Sequence, residues 1–236
     1  MPHMHFSNAL QKRSFHYEKR QPVEVRFFHL VWMFLICSFV GLVGETLVSF
    51  ALDGRLESRA GFIVGPFSPI YGVGALLFTL FVNPLRSRAV PVQFAAGAVV
   101  GGLFEYVAGW FFETRYGIVA WSYIDQPFNL HGHTCLGIAL VWGALGLAWV
   151  LWGLPHMVAL IERIPSGVQT SLTWFVFALI VADATCTLLA LDCWFLRMSG
   201  LEPADAVQQF FASYFGDAFM SRRFETMSMW PVLASR

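Results

Sequence analysis

Apolar and polar positions fall in long blocks along this chain, not in the short alternation of a soluble fold. Apolar stretches cover 27–52, 67–82, 90–112, 134–154 and 168–196, each bounded by charged or Gly/Pro-rich segments. Blocks of about 20 residues match the hydrocarbon thickness of a bilayer, so the pattern predicts about five transmembrane helices. The second block is short: at 16 residues it reaches roughly 24 Å, against a core of about 30 Å. Ahead of its apolar body lies Gly61–Ala75, GFIVGPFSPIYGVGA, with four glycines and two prolines. Pro66 and Pro69 forbid a helix through this point but suit the first turn of one. The segment therefore reads as a broken second helix, its irregular backbone buried in protein or facing a cavity. Asn83-Pro84 is expected to stop this helix, and Pro155 the fourth.

Composition agrees with this reading. The chain is 57% hydrophobic and only 13% charged, where soluble domains carry about 25% charge. The fold class expected is an all-α integral membrane protein: a basic tail over 1–26, a transmembrane domain over 27–196, and a C-terminal segment over 197–236. The N-terminal block is too polar at its start, and the first apolar run too long, for a cleavable signal. Both lysines, Lys12 and Lys19, sit in the tail, which excludes a P-loop or Schiff-base lysine in the body. The four cysteines lie in apolar stretches without a CxxC pair and read as small buried hydrophobes. With the tail on the cytoplasmic face of a cell membrane, the inner side carries Lys12, Arg13, Lys19, Arg20, Arg26, Arg86, Arg88 and Arg163. The outer side carries Arg55, Arg59, Arg115, Arg197, Arg222, Arg223 and Arg236. That margin is slight, and the orientation follows the charges ahead of the first helix. After the last span, Pro203 can open a helix whose Val207, Phe210, Phe211, Tyr214, Phe215 and Phe219 share a face, a pattern suited to the membrane interface.

Sliding the sequence by 60 residues superposes Gly41 on Gly101, Glu45 on Glu105, Arg55 on Arg115, Ala60 on Ala120, Gly72 on Gly132, Leu76 on Leu136 and Leu80 on Leu140. The matches include rare intramembrane charges, and both units run helix, loop, helix. They predict a parallel internal repeat, with units at about 39–82 and 99–142.

Glu45 and Glu105 lie inside apolar helices, where a carboxylate costs about 2.5–3.5 kcal/mol and usually faces a cavity or pathway. Arg55, Arg59 and Arg115 are the cations available to offset them. Asp183 lies near the middle of the last helix and reads as a third polar-core member. Tyr71, Tyr106, Tyr123 and Asn129 are candidates to line the same cavity, with Gly65, Pro66, Pro69 and Gly72 forming its irregular wall. Backbone N–H groups at the start of the short helix would suit an anionic group. His131-Gly132-His133, near Glu113 and Asp125, is a donor set that zinc or manganese accepts, so a metal is the alternative to a site with no metal or cofactor.

These same residues carry a family resemblance. Gly44-Glu45, Arg59, Gly61-Phe62, Gly65-Pro66, Pro69 to Gly74, Glu105-Tyr106, Glu113, Trp121, Tyr123, Phe128 to Leu130, Gly132, Cys135-Leu136 and Trp142-Gly143 resemble a family of small bacterial multi-pass membrane proteins classed as ABC-transporter permeases. The likeness covers about Phe34 to Gly143. It departs from the family pattern at Ser122, where an acidic residue is usual, and at His133, where arginine is usual. It implies a permease-like protein that binds or moves a small polar solute through a carboxylate-lined pocket. Glu45, Arg59, Glu105, Glu113, Arg115 and Asp183 are its expected charged residues. Partners implied are the bilayer, the solute, and a separate ATPase subunit or a second copy of the chain; nothing points to nucleic acid. The other reading is a membrane-embedded enzyme or lipid-modifying factor, with Glu105 or Glu113 as general base assisted by His131 or His133.

Overall fold

The computed structural model describes residues 20–54 and 56–229. The tail charges Lys12, Arg13 and Lys19, together with Arg55 and Arg236, lie outside the described residues. The protein is an all-α membrane protein. Helix α1 is Phe27–Asp53, α2 is Pro69–Leu77 and α3 is Val90–Tyr116. Then come α4 (Leu136–Ala148), α5 (Leu154–Ile161), α6 (Ser166–Met198), α7 (Ala206–Tyr214) and α8 (Asp217–Arg223). Among the described residues four stretches are long and apolar enough to cross a membrane, Phe27–Leu52, Val90–Tyr116, Leu136–Ile161 and Ser166–Met198, and a shorter apolar helix occupies Pro69–Leu85. Leu47, Val99, Leu103 and Phe175 remain at least 60% exposed, an apolar outer surface that suits lipid contact.

Two expected helix ends are displaced, for one reason. Pro155 does not stop the fourth span. The helix widens into a π turn at Trp149–Gly153 and continues as α5, with Pro155 in its first turn. The second helix does the same, widening at Phe78–Val82 before a 3-10 turn, Asn83–Leu85, that carries Pro84. In a π turn each N–H reaches back five residues, as Leu154 does to Trp149 and Asn83 to Phe78. The register shift accommodates a proline that has no N–H to give. The Trp149 indole donates to the Thr79 hydroxyl at 2.9 Å, which donates to the Ala75 carbonyl at 2.7 Å, so the two wide turns are tied together.

The helices pack as two hairpins, α1 on α2 and α3 on α4, and their contacts recur. The Tyr71 ring fills the space a Cβ at Gly41 would take, and the Trp142 ring fills it at Gly101. A Cβ at Gly72 would meet the Phe34 carbonyl and Ser38, and one at Gly143 the Phe94 carbonyl and Ala98. These glycine contacts recur at an offset of 60 between the first helices and of 71 between the second helices. Gly72 matches Gly143, not Gly132, and Pro84 matches Pro155. The pairings of Leu76 with Leu136 and Leu80 with Leu140 fall with that of Gly132. The connection is longer in the second hairpin, through both its loop (117–135 against 54–68) and helix ends that extend further beyond the contacts: Glu45 and its ring partner are 26 residues apart, Glu105 and its partner 37.

One side of the molecule is the tail side, where Asn83 exchanges two hydrogen bonds with the backbone of Val23 and Arg26 faces Glu162 at 3.9 Å. The other, the loop side, collects the carboxyl ends of α1, α3 and α6, the loops 54–68 and 117–135, and α7–α8. Here β1 (Ile118–Val119) pairs antiparallel with β4 (Ser228–Met229), and β2 (Asn129–Leu130) with β3 (Thr134–Cys135). The continuous C-terminal helix expected after Pro203 is instead two short ones, broken at Phe215–Gly216. Only part of its aromatic face stays outward: Phe210 and Tyr214 are exposed, while Phe211 is buried beside Trp194 and Ile118.

Candidate functional site

The two intramembrane glutamates sit one turn beyond Gly41 and Gly101, so the ring packed on each glycine presents its polar atom to the carboxylate. The Tyr71 hydroxyl donates to Glu45 Oε2 at 2.9 Å, and the Trp142 indole N–H donates to Glu105 Oε2 at 3.2 Å. From there the two sites diverge. Glu45 is about one-third exposed and faces Arg59 Nη1 at 3.6 Å. Arg59 also donates from Nη2 to Ser49 at 2.8 Å and Glu57 at 3.1 Å. This is a compensated, partly wet cluster, with Arg59 facing two carboxylates and a hydroxyl while its buried Nε has no hydrogen-bond partner among the described residues.

Glu105 is 5% exposed and held by neutral donors alone. Besides Trp142, the Tyr123 hydroxyl donates to Oε1 at 2.9 Å and the Thr134 hydroxyl to Oε2 at 3.2 Å. No cation among the described residues pairs with it. Burial pushes the Tyr123 phenol pKa up, and the neighbouring Glu105 carboxylate raises it further. Tyr123 therefore remains a donor across the physiological range.

Above Glu105, residues 105, 109 and 113 follow at four-residue intervals along one face of α3. Gly109 leaves room for the His133 ring, whose Nδ1 a Cβ there would meet at 3.2 Å. Glu113 faces His133 Nε2 at 3.4 Å. Over them opens a hollow of about 500 Å³, lined by Glu113, Thr114, Gly117, His131, His133 and Phe195. His133 borders this hollow while the next residue, Thr134, donates to Glu105, so one step of chain links the two.

The His131-Gly132-His133 motif has a structural cause. His131 and Gly132 both have positive φ, 51° and 75°, and the His133 N–H donates to the Leu130 carbonyl at 3.0 Å. This is a tight turn between β2 and β3, which needs glycine or a tolerant residue at its centre. It gives the imidazoles different partners: His131 Nδ1 shares a hydrogen bond with the Tyr106 hydroxyl at 3.1 Å, and His133 faces Glu113. Among the described residues no group of three or more His, Cys, Asp or Glu side chains converges to hold a metal.

Other expected site residues have structural partners. Asn129 donates to the Ile124 and Gln126 carbonyls and accepts from the Gly132 N–H, pinning its own loop instead of lining a cavity. Arg115 pairs with Asp192 of α6 at 2.6 Å, away from Glu105. Asp183 Oδ1 accepts the Val64 N–H at 3.1 Å, and the Thr187 hydroxyl receives the Ile63 N–H at 2.9 Å. The Gly61 and Phe62 N–H groups donate to the Phe67 carbonyl, and the Ser68 N–H to that of Ser38. The Gly/Pro segment thus spends these N–H groups internally, and the anion site expected at the start of α2 is not formed by them. Gly65 has φ +71°, Pro66 follows it, and the Pro69 ring lies over Gly61 at the start of α2. Of the residues expected to share one cavity, Glu45 bonds with Tyr71 and Arg59 in the first hairpin and Glu105 with Tyr123, Thr134 and Trp142 in the second, with Tyr71 within electrostatic reach of Glu105.

Sequence reasoning missed Thr134 and Trp142 as carboxylate partners and Arg223 altogether. Trp142 carried a signal in retrospect, because it matches Tyr71 at the offset of the second helices. Arg223, whose guanidinium donates to the Phe62 carbonyl at 2.8 Å and to the Gly65 carbonyl, carried none.

Apolar spans in paired hairpins, broken by a Gly/Pro loop and enclosing the buried Glu105 carboxylate, define an all-α membrane protein. The chain belongs to the family described as "Putative ABC-transporter type IV", whose model matches residues 32–188. No curated protein and no solved structure matches it significantly.

Proposed function

We propose that this transporter-like protein binds a small polar solute carrying a cationic group, with the hollow over Glu113 and His133 as vestibule and Glu105 as the inner station. The observation that carries this reading is Glu105: a buried carboxylate ringed by three neutral donors and no cation. A carboxyl group kept in so apolar a place without a cation is maintained for a cationic partner that comes and goes. The three donors hold it in position, and the continuity from His133 to Thr134 supports an entry route. Glu45, by contrast, is already compensated by Arg59 and serves the hairpin. As a member of an ABC-transporter family, the chain is expected to work with a separate ATPase subunit or as a homo-oligomer.

The test is uptake by proteoliposomes of a panel of radiolabelled small cationic solutes, with and without an ATPase subunit. At least one solute should accumulate above protein-free vesicles, and Glu105→Gln should reduce that uptake to background. Uptake that survives Glu105→Gln unchanged contradicts the reading. The Glu113–His133 pair, at 3.4 Å beside an open hollow, favours one other function, a membrane-embedded enzyme with Glu113 as general base. Turnover lost in His133→Ala, with no solute flux in any vesicle, would select it.

A further inference from the structure

The turn that joins the two hairpins on the tail side is basic and firmly framed. It runs over residues 83–89, NPLRSRA, and carries Arg86 and Arg88; no Asp or Glu occurs between Glu57 and Glu105. Asn83, 4% exposed, exchanges two hydrogen bonds with the Val23 backbone, which ties the chain next to Arg20 to the turn. Gln93, fully buried, donates from one amide nitrogen to the Arg86 carbonyl at 3.2 Å and to the Arg88 carbonyl at 2.8 Å. Both arginines therefore leave backbone held by a single side chain. Arg86 reaches the Gln21 carbonyl from Nη1 only at 3.5 Å, and its Nε is shut from water without an acceptor. Arg59, Arg115 and Arg197 each meet a carboxylate, whereas Arg86 and Arg88 meet none among the described residues. Burial, and then the charge of Arg20, hold the Arg86 guanidinium below its usual pKa.

We propose that Arg20, Arg86 and Arg88 form a binding site for the phosphate of an anionic phospholipid. A guanidinium fork matches phosphate oxygens in pairs, and cations gathered without a carboxylate gain most from an arriving anion. Two features make the occupant a lipid rather than a free anion. The turn joins the apolar stretch Pro69–Leu85 to the span Val90–Tyr116, so it lies at the level of the headgroups. The side chains flanking it are apolar and outward: Phe81 is 58% exposed, Val90 36% and Val92 47%, a surface for acyl chains beside the cations. A basic pocket at the ends of membrane helices, with apolar surface adjoining, is the arrangement that holds an anionic headgroup. The site lies at the opposite end of α3 from the Glu113–His133 hollow, and it does not rest on the transport reading.

The experiment is native mass spectrometry of the full-length chain in detergent, offered phosphatidylglycerol and phosphatidylcholine in equal amounts. Phosphatidylglycerol should bind about tenfold or more tightly, because its phosphate carries no attached cation. Arg86→Gln should lower that affinity by about tenfold, the scale of lost charge-assisted hydrogen bonds, and leave phosphatidylcholine binding unchanged. Arg222→Gln removes an exposed cation from the loop side and should leave phosphatidylglycerol binding at the parent value. Excess inorganic phosphate should not displace the lipid. Equal affinity for the two lipids disproves the site, and so does an Arg86→Gln protein that binds phosphatidylglycerol as the parent does. Should Arg86→Gln fail to fold, Arg88→Gln decides by the same criterion. An equal loss in Arg222→Gln would make the effect one of net charge and overturn the proposal. Displacement by inorganic phosphate would assign the arginines to a free anion and overturn the lipid as occupant.

Discussion

Glu105→Ala should destabilise the protein far more than Glu45→Ala, although the sequence presents the two glutamates as equivalents. Alanine at 105 removes the acceptor from the Trp142 indole, the Thr134 hydroxyl and the Tyr123 hydroxyl at once. Each buried donor left without a partner costs about 1–3 kcal/mol. The indole has no second orientation in which to recover, and the side chain lost was 5% exposed, so a cavity is left as well. At Glu45 the carboxylate is about one-third exposed, and Arg59 keeps Ser49 and Glu57 as partners after the change. Exposed pairs of that kind contribute about 0–1 kcal/mol. The measurement is the fraction of monodisperse protein left after heating in detergent: sharply lower for Glu105→Ala, close to the parent for Glu45→Ala. Glu105→Gln should stay near the parent, since its amide oxygen can meet the indole while its NH₂ faces the Tyr123 oxygen, which accepts. Equal losses for the two alanine variants would remove the distinction between the sites.

Leucine at Gly72 or Gly143 should be the most disruptive change within the helices. A Cβ at Gly72 would lie 2.7 Å from the Phe34 carbonyl, and one at Gly143 3.0 Å from the Phe94 carbonyl. Backbone cannot rotate away as a side-chain tip can, so the hairpins must separate. Overpacking costs about 1–3 kcal/mol, and here the neighbours are least able to yield. Gly132, the residue a single 60-residue offset would pair with Gly72, behaves differently. A Cβ there meets nothing nearer than 3.5 Å, and alanine is opposed only by φ +75°, a penalty of about 1–2 kcal/mol. The expected order of heat resistance in detergent is parent, Gly132→Ala, then the two leucine variants together. A Gly143→Leu protein as stable as the parent would break the correspondence of the two hairpins.

The spans were legible because hydrophobic blocks report a bilayer directly, and so were Glu45 and Glu105, charges where none belongs without a reason. Their partners were not. Tyr71 and Trp142 occupy the same place in two hairpins, but a longer loop and longer helix ends in the second put them 26 and 37 residues from their glutamates, which no gapless comparison can show. Pro155 misled because a proline normally ends a helix, and whether a π turn absorbs it depends on packing around Trp149. The histidine motif suggested ligation by its spacing, while its backbone role as a turn follows from φ angles that spacing does not reveal. Arg223 was invisible for a plainer reason: the carbonyls it serves are 161 and 158 residues earlier in the chain.

The central claim is that the Glu105 carboxylate, beyond anchoring its three neutral donors, is kept for a cationic ligand. Equilibrium binding of a solute taken up in the vesicle panel, measured on detergent-solubilised, monodisperse protein, tests it most directly. Saturable binding is expected for the parent and for Glu45→Gln, and none for Glu105→Gln at equal folded concentration. Binding by Glu105→Gln with the parent's affinity would contradict the account.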